Sequence, residues 1–118
     1  MAGERILYVC YDPAWLVLRE RVLLGEGYQV STVLGTDGLM ALSQVDEFDF
    51  VLLGDEGPLP DRQNALLWLK DEFPRAPVIA LSRGAEHLPG SDCRVINSGS
   101  DDWIQAVADC IRRCRTSA

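Results

Sequence analysis

Short apolar runs alternate along the chain with segments in which apolar residues recur every three or four positions. The runs predict strands, and the helical periodicity predicts helices. Predicted strands cover residues 5–10, 28–34, 50–53, 77–82 and 93–97, and predicted helices cover residues 13–25, 37–45, 61–73 and 101–113. Strands that alternate with helices through mostly short connections favour an α/β fold built on a doubly wound parallel sheet of five strands.

The first predicted helix has the best-defined ends. Asp12 is a favourable N-cap, Pro13 suits the first helical position, and Gly25 ends the helix. An apolar stripe at helical spacing predicts the face that packs against the sheet. It consists of Trp15, Leu18 and Val22 and is widened by Leu16 and Leu23.

The third predicted strand leads into a candidate functional corner. Residues 50–53 form a continuous apolar run, which is typical of a strand covered on both faces. Gly54 ends the run, and residues 55–58 have the composition of an exposed acidic loop. Side chains at the carboxyl edge of such a strand face the crevice in which open α/β sheets bind their ligands. The residue at position 54 therefore decides what this corner can do.

One predicted connection is unusual. Residues 83–92, between the fourth and fifth strands, include Gly84, Pro89 and Gly90 and leave no room for a helix of two or three turns with its loops. We expect a loop there, so that the fourth helix of a regular fold is missing or shortened. No repeat or linker interrupts the chain, and residues 1–118 are interpreted as a single domain.

Composition and charge exclude several classes of function. The net charge of −7 argues against direct binding to nucleic acid or to an anionic membrane, because both favour a basic surface. No apolar run approaches the roughly 20 residues that a bilayer span requires. The N-terminus lacks the apolar core of a signal peptide, and the cytoplasm is the expected compartment.

The four cysteines do not indicate a metal site. Cys10, Cys93, Cys110 and Cys114 lack the spacing of zinc ligands. Cys110 and Cys114 could share a helix face and bind a soft metal, but two further ligands are missing. Reduced thiols that act as small apolar residues are the better interpretation.

Residues 5–13, 27–30, 48–53, Pro58 and 77–82 together resemble the receiver domain of bacterial response regulators. The resemblance runs along nearly the whole chain and implies a flavodoxin-like sheet and a signalling role rather than an enzymatic one. In that family, two acidic residues after the first strand hold Mg²⁺. An aspartate that ends the third strand accepts phosphate from a histidine kinase, and a hydroxyl and a lysine that end the fourth and fifth strands contact the phosphoryl group.

The resemblance places the phosphoacceptor position on Gly54, four residues before Pro58. The acidic pair falls on Cys10 and Tyr11, which leaves Asp12 as the third acidic position of the family. Carboxylates are therefore missing where the family places its nucleophile and its metal ligands.

At the ends of the fourth and fifth predicted strands, this sequence keeps one residue of the family pattern and lacks the other. Ser82 keeps the hydroxyl, whereas Asn97 stands at the lysine position. Acyl phosphate formation requires a carboxylate nucleophile, a divalent cation and a fixed positive charge. A buried lysine without carboxylate partners would be costly, so these losses belong together. No cofactor is implied, and Mg²⁺ is not expected to bind tightly.

Three hypotheses follow. The first is a degenerate receiver, or pseudo-receiver, that serves as a phosphorylation-independent protein–protein interaction module in bacterial two-component signal transduction. The second is an atypical receiver phosphorylated on Asp55, with Asp12, Asp55 and Glu56 as a weak cation site. Side-chain alternation predicts that Asp55 points away from the direction of position 54. The third is a small-ligand binder on a flavodoxin-like sheet, although no glycine-rich phosphate loop follows the first strand.

Two faces are candidates for partner contacts. The first is the remodelled face around the fourth connection and fifth strand, which consists of Arg83, His87, Leu88, Arg94 and Trp103. The second is the face of the first helix around Trp15. Trp15 and Trp103 are expected to be core residues more often than interface residues. The expected partners are other signalling proteins or an effector domain, and a homodimer is left open.

Overall fold

The computed structural model describes residues 3–42, 48–82, 88–96 and 102–116. Strands and helices alternate as the sequence predicts. The strands are β1 (Arg5–Cys10), β2 (Gln29–Leu34), β3 (Phe50–Leu53), β4 (Val78–Ser82) and β5 (Cys93–Ile96). The helices described are α1 (Pro13–Gly25), α2 (Gly35–Met40), α3 (Leu59–Glu72) and α4 (Trp103–Thr116).

The five strands form one parallel sheet in the order β2-β1-β3-β4-β5, which is the flavodoxin-like order. Val9 of β1 pairs with Leu53 of β3, and Leu53 pairs with Ala80 of β4. The carboxyl ends of these three strands therefore meet at one edge. The predicted fold class is confirmed, and β3 is buried throughout as its apolar run predicts.

Two apolar layers flank the sheet. Side chains of β1, β3, β4 and β5 that face one way pack with α1 and α4 through Leu23, Trp103 and Val107. Side chains that face the other way pack with α2 and α3 through Leu39 and Leu66. β1, β2, β3 and β4 contribute to both layers, as expected for a parallel sheet covered on both faces, whereas Cys93 and Val95 of β5 belong to the first layer.

Helix α1 is oriented differently from the prediction. Asp12 caps it through a 3.0 Å hydrogen bond that its Oδ1 accepts from the backbone N–H of Ala14. Its buried residues are Arg19 and Leu23, whereas the predicted inward residues Trp15, Leu18 and Val22 are exposed. The helix carries apolar residues on every side, so their periodicity did not identify the buried face.

The connection between β4 and β5 is described from Leu88 onward, and residues 88–92 contain turns rather than a helix. This agrees with the predicted shortening. Residues 83–87 lie outside the described part of the chain, as do the predicted second-helix residues 43–45 and Asn97 at the end of the predicted fifth strand. No helix in the part of the chain that the structure describes is long and apolar enough to cross a membrane.

The expectation of reduced thiols is wrong for two of the four cysteines. Cys93 on β5 and Cys110 on α4 form a disulfide, because α4 packs with the side of β5 that carries Cys93. Cys10 and Cys114 remain thiols. The pairing of Cys110 with Cys93 also removes it from the soft-metal pair with Cys114 that its helical spacing allowed.

Candidate functional site

The candidate site lies at the carboxyl edge of β1 and β3. Gly54 follows β3 directly, and its backbone N–H donates a 2.9 Å hydrogen bond to the carbonyl of Val9 in β1. This bond continues the pairing of β1 with β3 by one residue and fixes the backbone at position 54. The side chains that follow Gly54 therefore emerge at a defined point of the sheet edge.

The space beside Gly54 is already filled. A Cβ added to Gly54 would lie 2.6 Å from Oε1 of Glu56, 2.9 Å from the carbonyl oxygen of Val9 and 3.6 Å from the ring of Tyr8. Contacts below 3.0 Å require something to move, and the Val9 carbonyl belongs to the sheet backbone. The carboxylate of Glu56 thus occupies the region into which a side chain at position 54 would project.

Arg19 of α1 joins both acidic residues of this loop. Its Nη1 donates to Oδ1 of Asp55 at 3.0 Å, to Oε2 of Glu56 at 2.7 Å and to the hydroxyl of Tyr8 at 3.2 Å. The side chains of Arg19, Asp55 and Glu56 are each 5 % exposed or less. We call these four residues, Tyr8, Arg19, Asp55 and Glu56, the Arg19 cluster.

The Arg19 cluster corrects two expectations. Asp55 and Glu56 do not lie in an exposed loop, because both are buried. Asp55 also does not point away from the direction of position 54, since its carboxylate and that of Glu56 meet the same guanidinium nitrogen. The chain leaves the strand at Gly54, so the alternation of side chains along β3 no longer applies to Asp55.

A second buried arginine supports the loop from the other layer. Arg62 of α3 is fully buried, and its Nη1 donates a 3.3 Å hydrogen bond to the backbone carbonyl of Asp55. Arg62 thus holds the backbone of Asp55, while Arg19 pairs with the carboxylates of Asp55 and Glu56. Buried charges of opposite sign in contact reduce the penalty of removing each from water.

Burial determines the protonation behaviour of the cluster. Desolvation raises the pKa of Glu56, and Arg19 offsets only part of this rise. Burial lowers the pKa of Arg19, but Tyr8, Glu56 and Asp55 outweigh this effect and the net shift is upward. Desolvation likewise raises the pKa of Tyr8, so its phenol stays protonated. Arg19 is therefore a permanent cation at this corner.

Oε1 of Glu56 is a buried acceptor with no hydrogen-bond partner of ordinary geometry among the described residues. The backbone amides of Glu56 and Tyr11 are nevertheless close enough to lower its pKa, against the larger effect of burial. Oε2, by contrast, is held by Arg19. One oxygen of this carboxylate is thus fixed and the other faces the position 54 backbone.

Cys10 and Tyr11, at the positions that the resemblance assigns to the acidic pair, point to opposite layers. Cys10 packs with the α1 and α4 layer, its Sγ donates to the carbonyl of Asp12 at 3.0 Å, and burial raises the pKa of its thiol. The Tyr11 hydroxyl lies 3.0 Å from Oγ1 of Thr36 at the start of α2. Neither side chain offers a carboxylate to a cation.

The Tyr11 ring is packed against the loop that follows the Arg19 cluster. Gly57 has a φ of 87°, and an added Cβ would lie 2.9 Å from the Tyr11 side chain. A glycine is needed at this position both for the left-handed backbone and for the close approach of the ring. Tyr11 therefore packs against this loop from a position that the resemblance assigns to a metal ligand.

The remaining predicted site residues are not brought together. Ser82 is buried at the end of β4, and its Oγ has no hydrogen-bond partner within the described ranges. Asp12 is occupied as the N-cap of α1, and it does not join Asp55 and Glu56. Among the residues that the structure describes, no group of three potential ligands could hold a metal ion.

The remodelled face predicted as an interaction surface is only partly a surface. Leu88 and Trp103 are buried, whereas Arg94 is exposed. Arg83 and His87 lie outside the described residues. Trp103 is a core residue as expected, but Trp15 is 46 % exposed and is not.

Arg19 and Arg62 were not among the predicted site residues. A signal existed in each case, because both arginines stand among apolar residues at helical spacing: Arg19 between Leu16 and Leu23, and Arg62 before Leu66. A charge in an apolar stripe is costly unless it is paired, and the acidic residues after β3 are the available partners.

Known structures with this fold support the receiver resemblance. The receiver-domain protein (CheY-like) of Methanospirillum hungatei matches with a TM-score of 0.79 at 19% identity and covers 98% of this chain and 99% of that chain. The response regulator TrrA of Thermotoga maritima, solved with Mg²⁺ and BeF, matches with a TM-score of 0.74 at 21% identity, covering 91% and 98%.

A third match is the receiver domain of a Pseudomonas aeruginosa sensor histidine kinase with magnesium in its active site cleft, with a TM-score of 0.71 at 20% identity over 95% and 97%. Neither a family model nor a curated protein matches the sequence. The chain thus has the fold of response-regulator receiver domains.

The residues of this chain do not fit the magnesium site that two of these neighbours contain. A divalent cation requires several oxygen ligands, usually with one or more carboxylates. Here the carboxylates of Asp55 and Glu56 are bound by the guanidinium of Arg19, and the end of β1 offers Cys10 and Tyr11. The positive charge beside these two carboxylates is therefore the guanidinium of Arg19.

Proposed function

We propose that this protein is a pseudo-receiver, a non-enzymatic interaction module of two-component signalling that acts without phosphorylation. The observation that carries the proposal is the position of Glu56. Its carboxylate lies where a side chain at position 54 would project, and Arg19 holds it there. The corner that would take a phosphoryl group is filled by the protein's own side chains.

The chemistry of acyl phosphate formation supports this proposal. The reaction requires a carboxylate nucleophile, and cations must neutralise the charge that develops on the phosphoryl oxygens. Gly54 has no nucleophile, and Arg19 is already neutralised by Asp55 and Glu56. An incoming phosphodonor would have to compete with two buried carboxylates for the same guanidinium.

Asp55 remains the alternative phosphoacceptor. Its carboxylate is buried at 3 % exposure and is bound to Arg19, so attack on a phosphodonor would require this ion pair to open. Arg19 could then stabilise the product. Phosphorylation of Asp55 is therefore the specific outcome that a test must be able to detect.

The test uses the full chain, Mg²⁺ and a small phosphodonor such as acetyl phosphate, followed by intact-mass measurement. The expected result is that treatment leaves the mass of the wild type unchanged, as it leaves that of the Asp55→Asn variant. A mass increase of one phosphoryl group that maps to Asp55 and is absent from Asp55→Asn would overturn the pseudo-receiver proposal and establish the alternative.

An interaction module needs a binding face, and α1 provides the best candidate. Its exposed apolar residues are Trp15, Val17, Leu18, Val22 and Leu24, each between 39 % and 55 % exposed. A helix that is apolar all round is usually covered on both sides. The sheet covers one side of α1, so we propose that a partner covers the other.

The charge pattern of α1 indicates the kind of partner. Arg21 is the only charged residue among the exposed positions of this helix. An amphipathic helix with an apolar stripe and an acidic side chain opposite Arg21 would complement this face. A response regulator of this fold has been solved in complex with the histidine kinase ThkA, and a histidine kinase is the partner to test first.

A further inference from the structure

A second group of reactive side chains lies at the amino ends of β4 and β5, where Pro77 precedes β4 and Cys93 begins β5. The Cys93–Cys110 disulfide joins β5 to α4, and it borders a surface depression of about 380 Å³. The depression is lined by Pro77, Asp92, Cys93, Cys110, Arg113 and Cys114. Three of the four cysteines of the chain therefore surround one accessible hollow.

The positively charged guanidinium of Arg113 lies beside both sulfurs of the disulfide. Its Nη2 lies 3.2 Å from Sγ of Cys110 and 3.5 Å from Sγ of Cys93. A neighbouring guanidinium favours the thiolate over the thiol, which makes a cysteine a better leaving group in thiol–disulfide exchange. A disulfide with a purely structural role does not need such a cation.

The two sulfurs differ in their accessibility. Cys93 is partly exposed, whereas Cys110 is 1 % exposed and belongs to the core. An incoming thiolate would therefore reach Sγ of Cys93, and Cys110 would be the leaving group beside Arg113. The carboxylate of Asp92, the acidic residue of the depression, accepts hydrogen bonds from the backbone N–H of Val78 and from Lys70.

We propose that the Cys93–Cys110 disulfide is a reversible thiol-exchange site for small thiols that carry carboxylates, of the glutathione type. The thiolate of the small molecule attacks Sγ of Cys93, the S–S bond breaks, and its electron pair goes to Sγ of Cys110. A second small thiol then attacks the mixed disulfide, which releases Cys93 as a thiol and the small molecule as its own disulfide.

The balance of this reaction is two small thiols oxidised for one protein disulfide reduced, and the reverse sequence restores the bond. Reduction would break the covalent link between β5 and α4, and reoxidation would restore it. The proposal stands on the disulfide and Arg113 and does not depend on the proposed function.

The experiment uses the Cys114→Ser variant, in which Cys10 is the only free thiol besides the two cysteines of the disulfide. The natively folded protein is incubated with reduced glutathione, quenched by alkylation and analysed by mass. The expected result is a transient mixed disulfide on Cys93, followed by alkylation of Cys93 and Cys110.

Matched arginine variants isolate the role of the charge. Arg113→Gln should slow reduction several-fold, Arg113→Lys should stay near the starting rate, and Arg112→Gln should have no effect, because Arg112 pairs with Asp109 rather than with the sulfurs. Equal rates for Arg113→Gln and Arg112→Gln would overturn the proposal. So would a protein whose cysteines remain reduced in air, or a disulfide that glutathione reduces only in denaturant.

Discussion

The guanidinium of Arg19 and the carboxylate of Glu56 lie 2.7 Å apart although the two residues are 37 positions apart in the chain. Arg19 belongs to α1 and Glu56 to the loop after β3, so the pair fixes a helix to the carboxyl edge of the sheet. A receiver-type corner is thereby closed by an internal ion pair, because the cation and the carboxylate both come from the protein itself.

The first prediction concerns Arg19. Arg19→Met keeps much of the side-chain volume but leaves Asp55 and Glu56 as buried carboxylates without their cation. We expect a loss of about 3 to 5 kcal/mol in the free energy of unfolding, as for other buried ion pairs with one partner removed. Urea denaturation measures it, and Arg21→Met, on the exposed side of the same helix, should change stability by less than about 0.5 kcal/mol.

A second change distinguishes the ion pair from simple packing. The triple variant Arg19→Met, Asp55→Asn, Glu56→Gln removes both the cation and the charges that need it. It should recover a substantial part of the stability that Arg19→Met loses. If the triple variant is as unstable as the single one, packing rather than charge explains the effect of Arg19.

The second prediction is a pH dependence from Glu56. Burial raises the pKa of Glu56 in the folded protein, so the folded state binds this proton more tightly than the unfolded chain. The resulting stability is fully present below the unfolded pKa and is lost as the pH rises through the folded pKa. Wild type should therefore lose stability relative to Glu56→Gln as the pH rises from the ordinary glutamate range towards neutrality.

The measurement is a series of urea midpoints for wild type and Glu56→Gln across the acidic to neutral range. Glu26→Gln, at an exposed position after α1, serves as the control for the loss of a carboxylate outside the Arg19 cluster. A difference between wild type and Glu56→Gln that does not change with pH would show that Glu56 is not the titrating group.

The fold was predictable because local patterns and topology agree. The apolar runs of β1, β3 and β4 and the caps of α1 each fix one element, and right-handed crossovers leave few arrangements for five parallel strands. The orientation of α1 was not predictable in the same way. Trp15 and Leu18 compete with Leu16 and Leu23 for the core, and periodicity cannot rank two apolar faces of one helix.

The site was predicted in outline but not in its contacts. The positions of Gly54, Cys10 and Tyr11 alone indicated that the nucleophile and the metal-binding carboxylates are missing. The burial of Asp55 and Glu56 depends on Arg19, which belongs to α1, three elements before β3 in the chain. A long-range ion pair has no local signature in the sequence, so Asp55 and Glu56 were predicted to lie in an exposed loop.

The third prediction concerns Gly54. Gly54→Ala should lower the free energy of unfolding by about 1 to 3 kcal/mol, because the added Cβ would press on the Glu56 carboxylate and on the Val9 carbonyl. Gly25→Ala is the matched control, since nothing lies within 4 Å of its added Cβ, and it should be neutral or slightly stabilising. Thermal or urea unfolding compares the two.

The same geometry predicts that Gly54→Asp does not restore phosphorylation. The new carboxylate would have to displace Glu56, and Cys10 and Tyr11 still supply no metal ligand. Incubation with Mg²⁺ and acetyl phosphate should leave its mass unchanged. A phosphoryl group that maps to the introduced side chain would show that the Arg19 cluster yields readily and that only the nucleophile was missing.

The last prediction tests the outer face of α1. Leu18 of α1 and Leu67 of α3 are both exposed leucines, at 55 % and 71 %, and their helices belong to opposite layers of the sheet. Leu18→Glu places a charge inside the proposed apolar interface, whereas Leu67→Glu places the same charge elsewhere. For a histidine kinase dimerisation domain from the same genome, Leu18→Glu should weaken binding by about tenfold or more and Leu67→Glu should not.

Calorimetric titration measures the affinities, and sedimentation of the protein alone tests self-association at the same concentrations. A wild-type dimer that Leu18→Glu converts to a monomer would identify a second copy of the chain, rather than a kinase helix, as the cover of this face. Equal affinities for Leu18→Glu and Leu67→Glu, with no dimer in either case, would exclude α1 as the binding face, because a buried glutamate without a partner cannot be neutral in an apolar interface.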